Sequence, residues 1–156
     1  MTVSSPRNPT LPAPTTIDSS MLEGLVGYNT RRAYLVIIEV FLKRMAVYDL
    51  RTVDFSILSL ITHNAGITSR QLSASLSLLP PNVVGMVSAL EKRGLIERQP
   101  HPVDGRAFGL HLTEAGEALV AEAEATVQQL ELEATSSLTV TERKTLIRLL
   151  QKIYRT

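Results

Sequence analysis

The stretch RQPHPVDGRAFGLHL, Arg98 to Leu112, sets Asp104-Gly105-Arg106 between two short runs, the second alternating apolar Phe108, Leu110 and Leu112 with Gly109 and His111. Gly105 lets such a tip turn sharply. Arg106 then offers a planar, multi-donor cation at the apex, and Asp104 can orient Arg106, or Arg98 at the hairpin base, by bidentate hydrogen bonding. A free carboxylate beside phosphate is repelled, so Asp104 suits the orienting role better than direct contact. Earlier in the chain, Thr68, Ser69, Arg70 and Gln71 stand at a helix start, where backbone N–H groups favour phosphate. Asn82, an amide in the first turn of the following helix, is placed to read adenine in a major groove. Each has a plainer alternative: a solvated tip arginine, a helix cap, a first-turn polar residue.

A second constellation lies in GYNTRRAYL. Tyr28 and Arg32 are four residues apart on one helical face, and Arg31 or Arg32 with the phenol could grip a carboxylate beside apolar Leu35, Val36 and Phe55. A surface ion pair or a phosphate contact is the alternative. Catalysis finds no footing. His63, His101 and His111 lack the i, i+4 spacing of metal ligands, and there is neither a Gly-x-Ser-x-Gly elbow nor a Gly-rich phosphate loop. No enzyme, no cofactor and no metal is expected.

The 156 residues suit one compact domain with modest extensions. With a formal net charge of +1, no global field holds nucleic acid or an anionic membrane, so any basic patch must be local. The absence of cysteine excludes a disulfide framework, a thiolate nucleophile and a peroxide-sensing thiol, and points to the cytoplasm. Residues 1–20, rich in Ser, Thr and Pro, read as a disordered tail, not a signal peptide. AYLVIIEVFL, Ala33 to Leu42, is too short to span a bilayer and is broken by Glu39; no membrane role is expected.

The apolar spacing predicts one long helix from about Met21 to Tyr48, apolar nearly all round and therefore in need of cover from the domain or a second subunit. A helix from about Thr52 stops at Asn64–Gly66 in a left-handed turn. Thr68 with Gln71 makes a capping box for a short helix over Leu72 and Leu76. Prolines then open a third helix whose Val83, Val87 and Leu90 face inward and which Gly94 ends; Asn82, Met86 and Lys92 lie on its other faces. LIERQP and AFGLHL form a hairpin, Thr113 opens a helix to about Ala134, and Thr139 with Glu142 caps a last helix striped by Leu146, Leu149, Leu150 and Ile153.

A short helix, a tight turn, a second helix and a charged-tipped hairpin make a winged helix-turn-helix, in which the second helix enters a DNA major groove and the hairpin reaches the backbone or minor groove. The class is mainly α with a small β-hairpin wing. From Thr68 to Thr113 the cations Arg70, Lys92, Arg93, Arg98 and Arg106 outnumber Glu91, Glu97 and Asp104. The competing reading is a winged-helix module that binds protein, since fold does not fix function.

LEKRGLIER, the Asp104-Gly105-Arg106 loop and HLTEAG together resemble the MarR family of bacterial transcription regulators, which share Leu-Glu-x-x-Gly-Leu-Ile/Val-x-Arg, a wing Asp-x-Arg, and Leu-Thr-x-x-Gly. The resemblance covers about Met21 to Arg155. It implies a homodimer whose terminal helices interlock (residues 21–50 and 114–156), a winged DNA-binding domain (51–113) and terminal dimerisation helices outside it. It further implies a palindromic double-stranded operator, repression, and a small-molecule effector that weakens DNA binding, here an anionic aromatic acid or acyl-thioester. The DNA-contacting set is then Thr68, Ser69, Arg70 and Gln71, with Pro81, Asn82, Val83, Met86 and Arg93 on the recognition helix and Arg98, Asp104 and Arg106 on the wing. The effector set is Tyr28, Arg31, Arg32, Leu35, Val36 and Phe55.

Overall fold

The structure, a computed structural model, describes residues 15–155, and the chain divides after Tyr34 into two compact units. Most of the expected N-terminal tail, residues 1–14, lies outside the described residues.

In the first unit the single long helix is corrected. A short helix α1, Ser20–Glu23, precedes α2, Val26–Met45. The ladder slips between them: Leu25 N–H reaches back only three residues, to the Leu22 carbonyl at 2.9 Å. The Asn29 side-chain amide donates to the Glu23 carbonyl and to the Leu25 carbonyl, each at 2.8 Å, the latter also accepting the Asn29 backbone N–H at 3.1 Å. Helices break where a side chain satisfies the freed backbone, and the i, i+4 step from Leu22 to Val26 runs across that break unnoticed. At its far end α2 passes into a single 3₁₀ turn, Ala46–Tyr48, which Asp49 ends in a left-handed conformation (φ 50°).

In the second unit α3, Thr52–His63, buries Ile57, Leu58 and Ile61. Its Asn64 cap is not left-handed (φ −143°); Gly66 takes that conformation, at φ +88°. The capping box of Thr68 and Gln71 opens α4, Ser69–Leu76, as the spacing predicts. Ser77, at φ 52°, turns the chain, and α5, Pro80–Lys92, leaves at 115° to α4. The hairpin pairs β1, Ile96–Pro100, with β2, Phe108–Leu112, antiparallel, Arg98 opposite Leu110. Leu110 also bridges Ile67, its N–H 2.9 Å from the Ile67 carbonyl, which fastens the hairpin to the start of the helical pair.

Thr113 caps α6, Glu114–Ala134, accepting from Gly116 N–H at 3.0 Å. A Cβ at Gly116 would stand 2.1 Å from the Leu95 carbonyl oxygen, so the glycine of HLTEAG is there because α6 lies directly on the start of the hairpin. Thr139 and Glu142 form the second expected capping box, opening α7, Val140–Tyr154. One core, including Met45, Ile57, Leu58, Leu72, Val83, Val87, Leu90, Leu110 and Val120, ties α3 to α6 and the end of α2 together. Among the described residues no single helix is long and apolar enough to cross a membrane.

Candidate nucleic-acid interface

The winged segment presents its cations from two elements onto one recess. Thr68, Ser69 and Arg70 at the start of α4, with Arg98, Asp104, Arg106 and Phe108 of the hairpin, line a cavity of about 330 Å³. Three arginines from separate stretches of sequence thus converge where the first turn of α4 also offers its free N–H groups, an arrangement suited to phosphate.

The wing tip holds its shape by local bonds. His101 Nδ1 accepts from the backbone N–H of Val103 (3.3 Å) and Asp104 (3.1 Å). The Asp104 carboxylate accepts the Arg106 backbone N–H at 3.1 Å. Expectation is corrected here, because Asp104 shapes the loop through the main chain of Arg106 and leaves that guanidinium free of it. An aspartate two residues before an amide closes an Asx turn more readily than it reaches a side chain. Arg98 pairs instead with Glu91 of α5, Nε to Oε2 3.1 Å, and reaches Ser88 Oγ at 3.4 Å.

On α5 the expected contacts divide. Pro81 and Asn82 are exposed and Met86 is half-buried. Val83 is 0% exposed, sealed with Val87 and Leu90 against the core, so its side chain has no surface to offer DNA; the inward stripe overrides its early position in the helix. Arg93 is drawn away from the interface. Its guanidinium donates to the Asp49 carbonyl (2.7 Å) and the Tyr48 carbonyl (3.0 Å), fastening the end of α5 to the turn that closes α2.

Arg51 joins the interface although it stands apart from it in sequence. It lines a second recess with Pro81, Asn82, Gly85, Met86 and Ala89, along the side of α5. Its guanidinium grips Asp54 in a two-pronged pair, Nε to Oδ2 and Nη2 to Oδ1, each 2.9 Å. Burial pushes the Asp54 carboxyl up, but the Arg51 hydrogen bonds and the charges of Arg51 and Arg93 outweigh it and hold the group below its ordinary value. The Asp54 hydrogen bonds in turn raise Arg51. Its signal in the sequence is an Arg-x-x-Asp spacing at the mouth of an apolar helix, Arg51 to Asp54.

Of the expected effector residues, Arg32 donates from Nη1 to the Tyr28 hydroxyl at 3.3 Å, its guanidinium 5.9 Å from the ring centre, and Arg31 is exposed. Leu35 and Val36 are exposed, and Phe55 packs edge-on to Phe41 at 6.2 Å. His63 sits 3.0 Å from Glu124 Oε1, which also accepts from Ser59 Oγ at 2.8 Å.

The MarR family model matches residues 50–108 of this chain, from just before α3 to the start of β2. The structure of the transcriptional repressor CouR bound to a 23-mer DNA duplex is 35% identical, with a TM-score of 0.84 over 89% of this chain and 99% of that one. CouR from Rhodococcus jostii RHA1 bound to p-coumaroyl-CoA is 28% identical, with a TM-score of 0.80 over 88% of this chain and 98% of that one. A candidate transcriptional regulatory protein for the hcr operon of Thauera aromatica is 29% identical over 86% of this chain and 81% of its own.

Proposed function

Because the chain belongs to the MarR family of DNA-binding transcription regulators, we propose that it is a repressor that grips a palindromic operator as a homodimer and lets go when an anionic effector binds. Members of that family regulate transcription and are not enzymes. The observation that carries the reading is the convergence of Arg70, Arg98 and Arg106 on one recess beside the solvent face of α5. Cations so placed meet phosphates, while the exposed side chains of α5 between them, Asn82 foremost, meet base edges. In this reading residues 51–113 bind DNA, residues 21–50 and 114–156 bring two copies together, and the protein works in the cytoplasm, where a bacterial chromosome lies.

Repressor character and the effector class rest on likeness to two proteins named CouR, one a repressor bound to DNA and the other, from Rhodococcus jostii RHA1, bound to p-coumaroyl-CoA. The effector of this chain is an aromatic acid or its coenzyme A thioester, and Arg31 or Arg32 is its anion anchor. A hundredfold loss of operator affinity on binding it requires about 2.7 kcal/mol of coupling between the two sites.

Gel-shift titration against the DNA upstream of its own gene tests the reading, with aromatic acids and their coenzyme A thioesters added to the complex. Retardation at nanomolar protein, and release by one of these compounds that Arg32→Ala or Arg31→Ala blunts, is expected. No retardation would favour the winged-helix protein-interaction reading; no release at millimolar compound would end the effector class.

A further inference from the structure

The recognition helix carries a single cation, Lys92 at its end, and an uncharged, largely apolar knuckle at its start. Leu79 is 70% exposed and Val84 50%, and the exposed Pro80 and Pro81 lie one turn before Val84 on the same side of α5. Exposed apolar side chains this close together cost solubility unless something covers them. Among the described residues nothing does. Cations lie on both flanks: Arg98 reaches Ser88 and Glu91, one and two turns beyond Val84 on its face of α5, with Arg70 and Arg106 in the same wing recess as Arg98, and Arg51 lines the recess bordered by Pro81, Asn82, Gly85, Met86 and Ala89.

That arrangement of charge fixes what the knuckle meets. If the flanking arginines sit on phosphates, the surface between them faces the floor of a major groove, where the apolar group on offer is the 5-methyl of thymine. Residues at the start of a recognition helix are those that reach base edges. We infer that Val84, backed by Pro80 and Pro81, selects thymine at one position in each operator half-site through its 5-methyl group, an inference that rests on the DNA-binding reading above. Asn82, two residues earlier and beside Arg51 in the second recess, is a hydrogen-bonding reader; Val84 reads shape and apolarity.

Deoxyuridine separates these roles, because it lacks the thymine methyl and keeps every hydrogen-bonding group. The full chain is used to enrich duplexes from a random pool, and each thymine of the enriched half-site is replaced in turn by deoxyuridine. Replacement at one symmetric position is expected to weaken binding about fourfold per half-site, which corresponds to about 0.8 kcal/mol, the worth of one buried methyl-sized group. Val84→Ala should bind the thymine and deoxyuridine duplexes within twofold of each other. Val84 is half-exposed, so the variant keeps the core, which circular dichroism checks. Deoxyuridine tolerated at every thymine, or full discrimination retained by Val84→Ala, would overturn the inference while leaving the DNA-binding reading standing. A protein that enriched no duplex at all would overturn that reading and the inference with it.

Discussion

From Thr68 to Leu112 the chain completes its own packing, whereas α7 completes almost none. In the winged segment Leu72, Val83, Val87, Leu90, Leu95, Ile96 and Leu110 are buried, and the polar groups of its turns find partners close by. In α7 no residue is buried, and Leu146, Ile147, Leu149 and Ile153 stand exposed, the last by 62%. Val36 and Leu42 on α2 are likewise exposed. The difference separates two kinds of partner. An apolar helical stripe wants another apolar surface, as an isologous dimer supplies; a finished polar surface edged with arginines wants an anion.

The sharpest way to break that comparison is to make the apolar stripe polar. Leu149→Asp combined with Ile153→Asp should yield a species of 17.1 kDa by light scattering, and the unaltered protein is expected at twice that mass. Operator affinity should fall at least about a hundredfold, since each half-site then binds alone. An unaltered protein that proved monomeric at micromolar concentration yet bound its operator would remove the distinction between the two regions.

The winged segment can also be disturbed where α6 lies against the start of its hairpin. Gly116→Ala drives a Cβ into the Leu95 carbonyl, and the shift this forces should lower stability by about 1–3 kcal/mol in urea unfolding. Smaller still is the acid limb. The Asp54 carboxyl lies below its ordinary value when folded, so its contribution to stability is complete above the unfolded value of about 3.9 and is lost as pH falls further. Thermal unfolding between pH 5 and 2.5 should show that loss, and Asp54→Asn should flatten it.

What the sequence could and could not disclose follows the same division between local and remote interactions. The capping boxes Thr68–Gln71 and Thr139–Glu142 and the hairpin with its Gly-centred tip involve residues a few positions apart, so their spacing is enough. The break at Gly24 was hidden because apolar periodicity continues across it and only the Asn29 amide, a side-chain cap, accommodates it. Partner choice between elements was hidden too. Arg98 had Asp104 near it in sequence but finds Glu91 on α5, and Arg93, one of the segment's cations, is drawn to the carbonyls of Tyr48 and Asp49. The position of Val83 early in the recognition helix suggested contact with DNA, while the three- and four-residue steps to Val87 and Leu90 placed it in the core.

If the surface built from α4, α5 and the wing binds DNA through positioned arginines, the salt dependence of binding must report it. Affinity for the enriched duplex is measured by fluorescence anisotropy from 50 to 300 mM salt, for the unaltered protein and Arg106→Ala. The variant should bind every sequence more weakly at low salt, with a log–log slope less negative by about 1 for each wing that loses a phosphate contact. Equal affinity and equal slope for the two proteins across the whole series would contradict it.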